Sequence, residues 1–338
     1  VNHHKATQTS PGVVTWENVL LKLHRALLTS AKGEGVIWPL PTPFSTPLSP
    51  SELVLVQEMK DAFKAQDRTQ LLATLEQSAR ALAYEPLDAQ LIARAWALQS
   101  ERLGEFDAFK WPAHLADFEL AWEALTPQRG PTWTPSPQSP NLGLYAVLPN
   151  AQWVERMAKA GVPTVQLRFK SEDAKAIEQE IKASVKAVQG TATELFINDH
   201  WQWAIEAGAH GVHLGQEDLQ ALESHGMEQI KRAGLRLGLS THGYSEMMTA
   251  HRFRPSYMAL GAVFPTTLKQ MKTLPQGLGR LQQYSNVMQN YSLVGIGGID
   301  EQTIPLALAL GIGSVAVVRA ITGAPEPEAQ AKRLMKLF

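Results

Sequence analysis

From Leu142 to the C-terminus, eight short apolar runs recur, each ending in glycine, a hydroxyl or a charged residue and each followed by a helix-like stretch. The runs are Leu142 to Leu148, Thr164 to Phe169, Glu194 to Ile197, Gly211 to Leu214, Arg236 to Leu239, Tyr257 to Val263, Leu293 to Ile296 and Ser314 to Val318. They are rich in Val, Ile, Leu or Tyr, as buried strands are, and each gap admits one helix. Ala174 to Val188, Trp201 to Ala207, Leu219 to Ala233, Glu301 to Leu310 and Glu326 to Leu337 carry helix formers, and Gly208, Gly234 and Gly311 stand just past three of their ends as stops. Eight strand–helix units leave no long edge strand over. The pattern therefore predicts an α/β fold closed as a (β/α)8 TIM barrel rather than an open doubly wound sheet.

Ahead of the barrel, residues 126–140 read TPQRGPTWTPSPQSP, a proline-rich stretch without apolar periodicity that predicts an extended linker. The expected organisation is a small all-helical N-terminal domain over 1–126, the linker over 127–141 and the barrel over 142–338. Within the first part, Glu52 to Ala65, Thr69 to Ala83 and Leu87 to Ser100 place apolar residues three and four apart, with Ser51 and Asp67 set to cap helices. Val14 to Ser30 is amphipathic, and Ala116 to Leu125 adds a turn-rich helix. This part has no nucleotide loop, metal-ligand spacing or catalytic pair, so a helical cap or oligomerisation element is expected. Trp38, Trp111 and Trp122 serve there as packing anchors.

Composition excludes several classes. A formal net charge of −1 offers no whole-protein field for nucleic acid or an anionic membrane, so recognition of phosphate must be local. The absence of cysteine excludes disulfides, thiolate catalysis and zinc–thiolate sites, and fits a reducing compartment. No apolar stretch approaches the roughly 20 residues a spanning helix needs. Val19 to Leu28 is interrupted by Lys22, His24 and Arg25 and lacks a cleavage pattern. The expectation is a cytoplasmic protein acting on small molecules, with no nucleic acid or membrane partner and with homo-oligomerisation left open. His3 and His4 are read as a solvated tail.

Polar residues gather at the downstream ends of the runs, where barrels of this class build active sites. Gln166, Arg168 and Lys170 lie two apart, hence on one face. Neighbouring cations there suit an oligophosphate ligand, although spacing alone slightly favours a structural ion pair. Asn198-Asp199 and His213 through Asp218 follow the third and fourth runs. Taken singly, Asp199 and Asp218 are helix caps. Taken with Arg168 and Lys170, they make a Mg²⁺–diphosphate site the better account, since Mg²⁺ takes one or two carboxylates plus substrate oxygens. His213 reads as a satisfied core group. Ser240-Thr241-His242-Gly243 and Pro265-Thr266-Thr267-Leu268-Lys269 bring hydroxyls and a cation to the same rim. Gly295, Gly297, Gly298, Gly311 and Gly313 flank the position where barrels bind phosphate with bare amides.

These segments carry a resemblance. VQLRFK, LFINDHWQWAIEAGAHGVHLGQEDL, LGLSTHGY, LGAVFPTTLK, VGIGGI and GIGSVAVVRAI occur in that order from about Leu142 onward. This part of the chain resembles the thiamine phosphate synthase family; the N-terminal region does not. The resemblance implies condensation of hydroxymethylpyrimidine diphosphate with thiazole phosphate, releasing diphosphate, with Mg²⁺ as cofactor. It implies that Gln166 contacts the pyrimidine, that Arg168, Lys170, Asn198 and Lys269 hold the diphosphate, and that Asp199 and Asp218 ligate the metal. It further implies that Ser240 and Thr266 bond the substrates near the reacting carbon, and that the amides of Gly297 and Gly298 take the thiazole phosphate. Two positions depart from the family pattern. Leu268 replaces the second threonine of Pro-Thr-any-Thr-Lys, and Arg319 stands where serine is common, either to bind that phosphate itself or to point away into a salt bridge. Two rival expectations remain: a thiazole tautomerase using His242 as acid or base, and a non-catalytic sensor of thiamine precursors.

Overall fold

A computed structural model describes residues 50, 57, 60–61, 63–81, 84–107, 110–119, 141–222, 224–266 and 275–338. They fall into two compact units, one ending at Pro112 and the other running from Ala113 to Phe338. Residues 127–140 of the predicted linker, the amphipathic segment Val14 to Ser30, Trp38, Trp122, Ser51 and the histidines 3 and 4 lie outside the described residues.

In the first unit, α1 spans Arg68–Ala81 and α2 spans Pro86–Leu103. The Asp67 carboxylate accepts the Gln70 amide at 3.1 Å, the capping role its position predicts. Proline in the first turn and Gly104 at φ 74 bound α2. Trp96 is buried and donates its indole N–H to the Asp107 carbonyl at 3.0 Å. The rings of Phe106 and Trp111 pack on it at 6.3 and 5.2 Å, so Trp111 is a packing anchor. In the second unit, the described part of the predicted Ala116 to Leu125 helix is a single 3-10 turn, Leu115–Phe118, and Phe118 stacks on Tyr244 at 4.9 Å.

Eight parallel strands then close into a barrel in sequence order. They are β1 Gly143–Leu148, β2 Thr164–Leu167, β3 Glu194–Asn198, β4 Gly211–Leu214, β5 Arg236–Thr241, β6 Tyr257–Leu260, β7 Ser292–Ile296 and β8 Ser314–Val317. β2 stops two residues before the end of its apolar run; its pairing with β1 ends where Leu148, the last residue of that strand, meets Leu167. The helices are α3 Ala151–Lys159, α4 Ala174–Val188, α5 Trp201–Ala207, α6 Gln216–Ala221, α7 Ser224–Arg232, α8 Tyr244–Phe253, α9 Gly277–Val287, α10 Ile304–Leu308, α11 Arg319–Thr322 and α12 Pro327–Met335. The helix expected over Leu219 to Ala233 is split into α6 and α7 because Leu222 takes an extended conformation, ψ 111.

Caps hold several helices in place. The Asp173 carboxylate accepts the Lys175 and Ala176 amides at 2.9 and 3.3 Å, opening α4. Asp173→Ala should therefore cost about 1 kcal/mol, read as a lower urea midpoint with unchanged slope.

Alternate strand residues face inward. Tyr145, Val147, Phe196, Tyr257, Ala259, Val294 and Ala316 fill the interior. Two glycines make room for the rings: a Cβ on Gly238 would lie 2.0 Å from Tyr257 Cζ, and one on Gly211 2.5 Å from Phe196 Cε1. Toward the upstream end of the strands, Arg236 pairs with Glu194. Because every strand runs the same way, all their downstream ends meet at one rim.

Candidate active site

Two carboxylates meet at that rim. Asp199, just past β3, sits in the left-handed region at φ 66, a conformation aspartate tolerates better than most residues, and its amide donates to the His213 carbonyl at 3.0 Å. Asp218 lies in the first turn of α6 and accepts the Gly215 amide at 3.2 Å. Burial raises the Asp218 carboxyl above its ordinary pKa, and the adjacent Asp199 charge, within hydrogen-bonding reach, raises it further. Like charges brought together in a half-buried place disfavour ionisation unless a cation joins them. Lys170 supplies part of that charge, its Nζ 3.3 Å from Asp199 Oδ2. Its side chain is 61% exposed, so the pair adds little stability.

Capping does not account for Asp199. Its neighbour His200 stands at the N-cap of α5, and no side chain caps that helix. Among the described residues no group of three or more His, Cys, Asp or Glu could hold a metal. Two carboxylate oxygens without a nitrogen or sulfur donor fit a hard divalent ion that keeps water or substrate oxygens in its remaining positions.

The other predicted residues are distributed around the same rim. Gln166 is buried inside the barrel, and Arg168 follows β2, where its amide donates to the Leu148 carbonyl at 2.8 Å. Among the described residues the Arg168 side chain has no hydrogen-bond or ion-pair partner. Asn198 ends β3 opposite His213, on an inward register. Ser240 lies in β5 and Thr266 beyond β6. The chain after β6 continues alongside β7, with the Val263 and Phe264 amides donating to the Ile296 and Gly297 carbonyls, both at 2.9 Å. Gly297, at φ 102, could not carry a side chain there, since its Cβ would lie 2.6 Å from that of Ala262. Gly298 follows it, and Arg319 opens α11 as an exposed residue. Lys269, with Leu268, lies outside the described residues.

Sequence reasoning missed Tyr145 and Tyr257 beneath the rim, and the bonds that join them to Gln166, His213 and Ser240. Gln166 Nε2 donates to Tyr145 Oη at 3.0 Å, and Tyr145 Oη lies 2.7 Å from Tyr257 Oη. Tyr257 Oη lies 2.7 Å from His213 Nδ1, and His213 Nε2 lies 2.8 Å from Ser240 Oγ. His213 is thus a satisfied core group, and it is also joined to a rim hydroxyl. Gln216 donates to the Ser240 carbonyl at 2.6 Å, and His242 Nδ1 lies 2.7 Å from Glu246 Oε2. The available signal was phase: Tyr145, Gln166, His213, Ser240 and Tyr257 all occupy inward positions of their strands.

A closed parallel barrel with paired carboxylates and a lysine at its downstream rim defines the class of (β/α)8-barrel enzymes. Within that class the assignment is specific: the family model described as "Thiamine monophosphate synthase" matches residues 144–321, more than half of the chain, and the chain belongs to this family of thiamine-biosynthesis transferases. Thiamine-phosphate synthase of Neisseria meningitidis serogroup A is 51% identical over 197 residues, covering 58% of this chain and 95% of that protein. The Yersinia pestis enzyme of the same name is 47% identical over 197 residues, covering 58% and 90%. Among solved structures, thiamine phosphate pyrophosphorylase from Pyrococcus furiosus superposes with a TM-score of 0.51 at 25% identity, covering 58% of this chain and 95% of that one. Among the described residues no helix is long and apolar enough to cross a membrane.

Proposed function

We propose that the barrel condenses hydroxymethylpyrimidine diphosphate with thiazole phosphate, giving thiamine phosphate and diphosphate by dissociative displacement at the pyrimidine methylene. The observation that carries this reading is the facing pair Asp199 and Asp218, with Lys170 beside it at the rim of a thiamine-phosphate synthase barrel. The two carboxylates are the groups that would hold Mg²⁺. When bound, the ion supplies positive charge against the leaving diphosphate.

The remaining demands fall on the chain's own residues. Carbon–oxygen cleavage leaves a pyrimidine methylene cation and puts charge on the diphosphate, so it needs cations fixed near the leaving oxygens rather than a strong base. Arg168, whose side chain has no hydrogen-bond or ion-pair partner among the described residues, and Lys170 are assigned that task, with Asn198 and Lys269 beside them. Gln166 and Ser240 orient the pyrimidine, Thr266 lies near the reacting carbon, and Gly297, Gly298 and Arg319 receive the thiazole phosphate. Holding the thiazole nitrogen in line with the methylene then captures the cation before water does. Small-molecule substrates and a cytoplasmic setting accompany this reading, and the helical N-terminal domain is assigned an accessory role.

The test supplies both substrates and Mg²⁺ and measures thiamine phosphate and diphosphate together. Equal amounts of the two are expected, with formation abolished by a chelator. Arg168→Ala should lower turnover about 100-fold, as loss of one charge-stabilising donor does. A second reading is favoured by the His242–Glu246 contact, which holds an imidazole as a proton-transfer group would be held. Metal-independent isomerisation of a carboxythiazole phosphate, lost in His242→Ala, would replace the synthase reading. Binding of both precursors without turnover would leave a sensor.

A further inference from the structure

The polar groups inside the barrel form a continuous line from β2 to β5, and its proton order follows from counting donors. Gln166 Nε2 donates to Tyr145 Oη at 3.0 Å, so the Tyr145 proton has one remaining neighbour, Tyr257 Oη at 2.7 Å. Tyr257 Oη has then accepted, and its own proton goes to His213 Nδ1 at 2.7 Å. A neutral imidazole accepting at Nδ1 carries its proton on Nε2, which faces Ser240 Oγ at 2.8 Å. Ser240 Oγ accepts that proton, and among the described residues no protein group takes the serine's own. Its hydroxyl hydrogen is left for the open side of the rim.

We propose that Gln166, Tyr145, Tyr257 and His213 form a one-way hydrogen-bond relay that fixes His213 as the neutral Nε2–H tautomer and presents Ser240 to substrate as a donor. His213 and Tyr257 are then positioning residues acting through Ser240, which meets a lone-pair acceptor of the substrate near the reacting carbon. The proposal rests on the synthase reading for its substrate, but not for its proton order.

Packing supports a fixed relay. The Tyr257 ring stacks on His213 at 5.6 Å and meets Tyr145 and Phe196 edge-on at 5.7 and 5.2 Å, so neither phenol can swing out of line. Burial raises both tyrosines well above the ordinary phenol range, which keeps each one a neutral donor and acceptor. A protonated His213 would put a second hydrogen between Nδ1 and Tyr257 Oη, where the relay already has one. Turning the Gln166 amide over would reverse every link, leaving Ser240 donating to Nε2 and presenting only lone pairs to the substrate.

The two polarities differ in nitrogen NMR of the full chain with labelled histidine and no ligand. The relay predicts a protonated Nε2 and a pyridine-type Nδ1 for His213, assigned by the signals lost in His213→Gln. Tyr257→Phe should disturb that pattern, lower kcat about 10-fold, as loss of one hydrogen-bond link does, and leave the KM for thiazole phosphate unchanged. Adding Ser240→Ala to Tyr257→Phe should cost less than Ser240→Ala costs alone, because the relay acts through that serine. His213→Gln, whose amide can offer an N–H near the Nε2 position, should retain more activity than His213→Leu. A protonated Nδ1 in the unmodified protein, or fully multiplicative effects of Tyr257→Phe and Ser240→Ala, overturns the relay. Absence of thiamine phosphate from the unmodified enzyme would instead sink the synthase reading, and the nitrogen spectrum would still decide the proton order.

Discussion

Replacing Asp218 by asparagine is expected to make the metal-free protein slightly more heat-stable while lowering turnover about 1,000-fold. The two effects share one cause. Asparagine is nearly isosteric, and its carbonyl can still accept the Gly215 amide, but it removes a carboxylate held against Asp199. The folded pKa of Asp218 is raised above its ordinary 3.8, so the folded state binds more protons than the unfolded chain across the window just above that value. Stability attached to this group is therefore present at low pH and lost as pH rises through the folded pKa. The site is partly solvated, and screening holds the gain on replacement below about 1 kcal/mol, or roughly 2 °C. Melting temperatures of the two proteins should coincide in acid and separate toward neutrality, with the variant higher. Added Mg²⁺ should then raise the melting temperature of the unmodified protein and leave the variant unmoved. A variant as active as the parent, or a parent whose melting ignores Mg²⁺, would count against a metal site between these carboxylates.

What the sequence made legible was what repeats or is local. Eight apolar runs identified the strands, three glycines marked helix ends, and Asp67 announced a cap, because each depends on residues a few positions apart. Asp199 and Asp218 could be paired in advance because they follow adjacent strands and a parallel barrel brings such ends together. Strand ends were less legible: nothing within β2 reveals that Leu148 is the last residue beside it. Nor did local pattern show that Leu222 would divide one expected helix into two. The interior relay was hidden for a further reason. Tyr145 and Tyr257 are 112 positions apart and each reads as an ordinary strand aromatic; only closure of the barrel puts their hydroxyls 2.7 Å from one another.

That closure leaves no room for a side chain at Gly238. A Cβ there would stand 2.0 Å from Tyr257 Cζ and 2.2 Å from its hydroxyl, far inside van der Waals contact. The ring has little freedom to yield, held by hydrogen bonds to Tyr145 and His213 at 2.7 Å each and by the edge of Phe196. Gly238→Ala should therefore cost about 3 kcal/mol, the upper part of the range for overpacked cores, and should scatter the relay to Ser240 as well. The same exchange at Gly295 meets its nearest atom at 3.5 Å, an ordinary contact, and should cost far less. Denaturant titrations of the two variants separate lost space from any general intolerance of alanine in a strand. Tyr257→Leu clears the obstructing atoms, so adding Gly238→Ala to it should cost less than Gly238→Ala alone, a coupling of the sign expected when two residues compete for one volume. Strict additivity in that double-mutant cycle would show that the glycine is not there to admit the ring.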